Sequence, residues 1–363
     1  MPQTYETSSA PVLGTWLGRL AAAGGLIVAA SLALAQAPAP ATAPPPGPAP
    51  TGLVVGSGNP FSPIVADLDA AVAFYRAIGF EVRGEPGNAD ANPQLRAMFG
   101  LPDARLRWQI GRVPPIQGGV EIIEIADAGG QRVERSIQEP GSVMLIVVVR
   151  DVGATLARLK ALGAPVITRG GEPVPVPPFR AAVVVQDPAG HFVELLQPQM
   201  FPAWAPATAN AINVRVRHTV ADLPSALRLY RDALGLQGDR GVPQYVAAPE
   251  VLDLLGLGRN TQYRYTTLTV PTSGVAVELI EFKGARRPEP ARLQDPGSTR
   301  MQLRVADIDA AAAALVQAGG TFVSTGGRPL DLPAGSSTLK VGIVRDPDNL
   351  FLVLIQAPPP AAQ

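Results

Sequence analysis

Between residues 52 and 357 the chain passes four times from short alternating apolar segments to apolar residues at helical spacing. Each passage turns on an aspartate: Asp67, Asp151, Asp222 and Asp307. Behind them come Leu68, Ala71, Val72 and Tyr75; Val152, Leu156 and Leu159; Leu223, Leu227 and Tyr230; and Ile308, Ala311, Ala312 and Leu315. These are the i, i+3, i+4, i+7 rows of amphipathic helices. A carboxylate in that place accepts from the free amides of a first helical turn, so each aspartate is predicted to be an N-cap. Gly79, Gly163, Gly235 and Gly319 stand where each helix should stop in a left-handed residue. Strand-like runs follow at 105–110, 120–125, 181–185, 193–196, 263–270, 275–280 and 351–355.

The four modules form a repeat of a repeat. VADLDAAVAFYRAIGF from Val65 returns as VADLPSALRLYRDALGL from Val220, with Asp67 and Asp222 155 positions apart. QEPGS from Gln138 returns as QDPGS from Gln294, 156 positions on, VEIIE from Val120 as VELIE from Val277, and DPAGHFVEL from Asp187 as DPDNLFLVL from Asp346. The chain therefore divides into homologous halves, 52–200 and 201–357, with a short tail at 358–363.

In front of them, residues 20–35 read LAAAGGLIVAASLALA, too short to span a bilayer comfortably and ending in small residues suited to cleavage. Residues 1–35 are expected to be a signal peptide, and the body exported to a periplasm or secreted, with no membrane insertion after cleavage. An uncleaved anchor is the alternative. Residues 36–51, dense in Pro and Ala, are expected to form an extended linker.

The helix-start phrase, the Glu on a central strand and the closing Asp-Pro-x-Gly-x-x-x-Glu resemble the vicinal oxygen chelate superfamily of glyoxalases, bleomycin resistance proteins and dioxygenases, over about residues 52 to 357. The resemblance implies an α+β fold in which four βαβββ modules pair into two glyoxalase-like cupped-sheet domains. It does not fix a reaction, because a fold hosts many. In metal-dependent relatives a His lies seven residues before each helix-capping Asp and a Glu on a later strand. Here those His positions hold Pro60, Met144, Arg215 and Arg300, and the Glu positions hold Glu121, Glu194, Glu278 and Val353. A one-residue bulge beside Pro60 would turn Asn59 into the cup instead.

Composition sharpens this. Only His191 and His218 are available and there is no cysteine, so a multi-histidine or thiolate metal site within one chain is excluded and no metal or other cofactor is expected. Lys plus Arg and Asp plus Glu are both 30, which removes the basic field that would attract nucleic acid. His191 falls in a turn, and His218 shares parity with Val214, Val216 and Val220, so both are read as structural.

Glu121 and Glu194, if they face each other across one dry cup, are candidate acid-base catalysts. Arg215, Arg217, Arg300, Gln302 and Arg304 alternate with apolar residues and, with Glu278, are candidates to bind a substrate that is anionic. Glu124 and Glu281 fall on the opposite face. The expected partner is a small molecule. Its role is binding without a metal; the alternatives are a lyase, isomerase or dioxygenase using Glu121 and Glu194, or an interaction module with occluded cups. The sequence leaves oligomeric state open.

Overall fold

The four aspartates each cap a helix. Asp67, Asp151, Asp222 and Asp307 accept from the amides of Ala70, Ala154, Ser225 and Ala310 at 2.8–3.0 Å. The computed structural model describes residues 47–358 apart from 90, 91, 115, 117 and 336, so the signal-like run, most of the linker and the tail beyond Pro358 lie outside the described residues. A second acceptor serves each of these helices from a strand behind it. The first helical amides, of Leu68, Val152, Leu223 and Ile308, donate to Glu124, Gln197, Glu281 and Gln356. Each acceptor stands three residues after the family's Glu position, so strand alternation sends one side chain into the cup and the other under the helix.

The step in the repeat offset has a local cause. Tyr75 and Tyr230 are 155 positions apart, whereas Gly79 and Gly235 are 156 apart. The helix Leu68–Ile78 is α-helical throughout, but its counterpart changes from α-helix at Leu223–Leu227 to π-helix at Arg228–Ala233. There the Leu234 amide donates to the Leu229 carbonyl, five residues back, at 2.9 Å. One wide turn absorbs one extra residue. Tyr230 thus keeps the buried place of Tyr75, and Gly235 still closes the helix at φ 89°, packed on the Gly52 backbone with no room for a Cβ.

Two curled sheets carry the modules. One runs Thr321–Phe322, Ser337–Arg345, Phe351–Gln356, Thr299–Val305, Ser62–Val65, Gly119–Ala126, Arg105–Arg112 and Glu81–Val82 in strand order. The other runs Tyr263–Thr269, Ala276–Phe282, Ala211–Thr219, Val143–Val149, Phe192–Pro198, Phe179–Gln186 and Val174–Val176. The expected pair of cupped sheets is present, but the first module closes with the fourth and the second with the third. The halves 52–200 and 201–357 are units of sequence repetition, and neither sheet is built from one half alone. Connection length accounts for this, since neighbours in sequence tend to be neighbours in space. Residues 199–210 deliver the third module's first strand straight to the second module, whereas the longer connectors 127–142 and 283–298 cross between sheets. The connectors also hold each other: the Val133 amide donates to the Pro296 carbonyl and the Gln131 amide to Asp295.

The two module junctions differ. Ala211–Thr219 and Val143–Val149 pair antiparallel almost from end to end. Ser62–Val65 meets Thr299–Val305 only at Pro63 and Ser62, because Pro60 and Pro63 have no amide to give and the strand is interrupted at 58–61. The gap is covered by Val54–Ser57, which pairs with the Thr299–Val305 strand at Val305, Arg304 and Leu303.

All fourteen helix residues picked out by periodicity are buried, in one apolar cluster with the helix-facing sides of both sheets. Each concave face holds its own cluster, floored by a short helix: Pro93–Phe99 under Ile64, Trp108, Ile123 and Val353, and Pro249–Leu254 under Met144, Ile146, Val184 and Ile280.

Candidate functional site

The exchange of modules redistributes the candidate residues. Glu121, Arg300, Gln302 and Arg304 belong to the sheet of the first and fourth modules; Glu194, Arg215, Arg217 and Glu278 belong to that of the second and third. Two expectations are thereby corrected. Glu121 and Glu194 do not face each other, and the arginines on the 215–217 strand do not share a cup with those on the 300–304 strand. Both expectations assumed that modules pair within a half.

In the first-and-fourth cup, strand alternation points Glu121 inward with Ile123 and Ile125, and Arg300, Gln302 and Arg304 inward between Met301 and Leu303. Glu121 Oε2 accepts from Arg300 Nη2 at 2.8 Å, Gln302 Nε2 at 2.6 Å and the Ser62 hydroxyl at 3.4 Å. Arg300 and Glu121 are fully buried, and the guanidinium lies 4.6 Å over the Phe99 ring. Burial pushes the Glu121 carboxyl up, against the pull of Arg300 and the Gln302 and Ser62 hydrogen bonds. The irregular backbone at 58–61 turns Asn59 inward: its backbone N–H donates to Gln302 Oε1 at 3.0 Å and its Oδ1 accepts from Arg112 at 3.5 Å. Asn59 therefore occupies the place that a bulge would give it. Arg112 and Ser62 were not among the sequence candidates; the signal for Arg112 is its parity with the cup-lining Leu106, Trp108 and Ile110.

The second-and-third cup is built around one guanidinium. Arg217 Nη1 donates to Glu194 at 2.5 Å, Nε and Nη2 reach Glu278 at 2.8 and 2.7 Å, and Nη1 lies 3.6 Å from the Met144 sulfur. Arg215 Nη1 stands 3.7 Å from the other Glu278 oxygen, beside the Phe179 ring. Burial raises the Glu194 carboxyl; Arg217 opposes that shift and Glu278 adds to it. Two carboxylates face two guanidiniums, so this cup is balanced in charge.

The histidines lie outside both cups. His191 Nδ1 sits 3.0 Å from Asp187, which also accepts from Tyr75, and its Nε2 sits 3.0 Å from the Ser298 carbonyl. His218 Nε2 lies 3.2 Å from Asp346, which accepts from Tyr230. Tyr75 with Asp187 and Tyr230 with Asp346 are repeated pairs, but the histidines join them from different places: His191 from the Asp187 turn, where the second copy has Leu350, and His218 from the Ala211–Thr219 strand.

A model of the Glyoxalase/Bleomycin resistance protein/Dioxygenase superfamily matches residues 59–195 and again 214–354. The chain belongs to this superfamily. Among solved structures it is similar to two single-substitution mutants of glyoxalase I from Zea mays. One is 17% identical with a TM-score of 0.52, covering 83% of this chain and 94% of that one. The other is 18% identical with a TM-score of 0.51, covering 82% and 90%. At that identity the likeness is one of fold. No match was found among curated proteins.

The glyoxalase-superfamily metal positions can be tested against these side chains. In one cup they hold Asn59 or Pro60, Glu121, Arg300 and Val353; in the other, Met144, Glu194, Arg215 and Glu278. Among the described residues no group of three His, Cys, Asp or Glu converges as metal ligands do. The carboxylates that remain are already engaged by Arg300 or spanned by Arg217. This donor set does not fit the divalent cation of metal-dependent members.

Proposed function

We propose that this tandem glyoxalase-superfamily protein binds a small molecule without a metal, after export. One observation carries the metal-free reading: the Arg217 guanidinium bridges Glu194 and Glu278, the two carboxylates of its cup that could have held an ion. A divalent ion about 4 Å from a guanidinium is repelled by on the order of 8 kcal/mol at an effective dielectric of about 20. Arginine keeps its charge and is tethered to the strand, so a competing ion cannot simply displace it. The tethered cation takes the role of the free one.

The acid-base pair of Glu121 and Glu194 is replaced in this reading by single carboxylates in separate cups. A catalytic alternative is then limited to Glu121, whose Oε1 has no hydrogen-bond partner in the structure. Export rests on the 20–35 run, and sequencing of the mature amino terminus should begin at Gln36.

Elemental analysis and calorimetric titration with Zn²⁺, Ni²⁺ and Mn²⁺ test the metal-free reading. Purified protein should carry no stoichiometric divalent metal, while Arg217→Ala, which frees both carboxylates, should gain weak divalent-cation binding. One tightly held metal per chain in the unsubstituted protein, lost on Glu194→Ala, overturns it.

A further inference from the structure

The helix pairs of the two halves are copies, yet they close differently. In the first half, Arg158 of the second-module helix Val152–Ala161 donates through Nε to the Ala77 carbonyl at 2.9 Å and through Nη2 to Thr155 at 3.1 Å. Asn210 Nδ2 adds bonds to the Ile78 carbonyl at 2.7 Å and to Thr155 at 2.9 Å. A guanidinium and an amide stitch this seam.

In the second half each of those side chains is replaced by a smaller one. The offset that matches Asp151 with Asp307 sets Ala311 in place of Thr155 and Ala314 in place of Arg158. Gly52 packs on Gly235 where Asn210 packs on Gly79. Between the third- and fourth-module helices lies a cleft of about 800 Å³, walled by Ala226, Leu229, Ala233, Ala314 and Ala318, with the Asp346-Pro347-Asp348 turn among its lining. That volume is within the range of small-molecule sites. The π-helix Arg228–Ala233 runs along the cleft, and wide turns of this kind gather at functional sites.

The charges of the cleft set the sign of its ligand. Asp222, Asp346 and Asp348 line it against Arg228 and Arg287. Asp222 caps its own helix, and Asp346 is engaged by Tyr230 and His218. Arg228 turns back to the Ser225 hydroxyl at 2.7 Å. Arg287 directs both of its bonds, at 2.9 and 3.0 Å, to Asp348 Oδ1, which leaves Oδ2 without a hydrogen bond among the described residues. Burial raises the Asp348 carboxyl above its ordinary 3.8 and Asp346 adds to the shift, more than His218 and Arg287 take back. A second cation beside it would offset that cost. One free carboxylate oxygen suits the point charge of an ammonium better than the two-pronged guanidinium.

We propose that this cleft is a binding site, separate from both cups, for a primary amine on a short apolar chain. The ammonium donates to Asp348 Oδ2, and the chain lies on Leu229 and the alanines in the room that the Arg158 side chain fills in the first half. None of the cup residues lines the cleft, so the site is independent of whether the cups bind without a metal.

Calorimetric titration of the purified protein with butylammonium tests this, with 1-butanol and butyrate as comparisons. Butylammonium should bind once per chain and about tenfold tighter than either, a charge-assisted hydrogen bond's share. Asp348→Asn should weaken it about tenfold or more. Ala314→Arg restores the side chain of the first half and should abolish binding, while Ala313→Arg, which adds the same charge at the exposed neighbouring position, should leave it unchanged. Binding that survives Ala314→Arg, equal loss on Ala313→Arg, equal affinity for butanol and butylammonium, or no saturation by about 10 mM overturns the proposal.

Discussion

His191 Nε2 lies 3.0 Å from the carbonyl of Ser298, so a turn of the first half is tied to the start of the strand that carries Arg300 in the second. Both ring nitrogens face acceptors, Asp187 on one side and Ser298 on the other, which favours the doubly protonated ring. Burial alone would lower the His191 pKa, but Asp187 outweighs it and the net shift is upward from 6.5; Arg132 opposes it weakly. His218 moves the same way through Asp346 and Asp348. Asp187 and Asp346 are held below the ordinary 3.8, since the histidines and tyrosines overcome their burial.

The sign of the pH dependence follows. Raised histidines contribute stability that is complete below pH 6.5 and is lost as pH rises through their folded values. Lowered aspartates contribute stability that is present above pH 3.8 and is lost as pH falls through theirs. Tm measured from pH 4 to 9 should therefore be highest between those limits and fall on the alkaline side, and His191→Gln should flatten that fall. A Tm unchanged from pH 5.5 to 9 would show that folding shifts neither ring, and one that rises through pH 6.5 would show that both rings stay neutral.

The exchanged sheets predict that neither half folds alone as a monomer. Residues 52–200 by themselves would leave the long edge of Val143–Val149 without Ala211–Thr219, and an open apolar edge invites pairing or aggregation. Expressed separately, each half should run as a dimer or aggregate on size exclusion, and mixing the two should give a one-to-one complex. A folded, monomeric 52–200 fragment would contradict the topology.

Arg300 and Glu121 predict an asymmetric double-mutant cycle. Arg300→Met leaves a buried carboxylate without its cation and should cost about 3–5 kcal/mol in urea unfolding at neutral pH. Adding Glu121→Gln should recover most of that loss. Because burial already raises the Glu121 carboxyl, the single variant should regain stability as pH falls and the group protonates. A loss that ignores pH would mean that lost packing on Phe99, not charge, is responsible.

The sequence made the modules legible because each is declared by several coincident signals: Asp67 before a helical apolar row, Gly79 after it, and a copy of both at Asp222 and Gly235. The parity of Glu121, Arg215, Arg217, Arg300 and Gln302 was equally readable, since alternation is local. Which module closes with which was not, because that depends on the connectors 127–142 and 283–298, whose residues carry no periodicity. The same gap hid the second helix caps. Alternation puts Glu124 and Glu281 on the face opposite Glu121 and Glu278, but that Glu124 accepts from Leu68 and Glu281 from Leu223 becomes visible only when the strand is placed behind the helix. For Asn59 the two prolines announce an interrupted strand, but not which way the interruption turns its side chain.

The unequal junctions between modules make the molecule a ring of four links with one firm joint and one light one. At the firm joint, Ala211–Thr219 and Val143–Val149 are laced along most of their length. The light one relies on the matched positions Ser62 and Pro63, on backbone bonds at Gly58, Asn59 and Ile64, and on Val54–Ser57, the opening strand of the first half. That short opening strand is therefore a clasp. Arg304 is paired to Gly56 within the clasp and Asn59 follows it on the same strand path, so loosening the clasp would disturb the wall of the first-and-fourth cup.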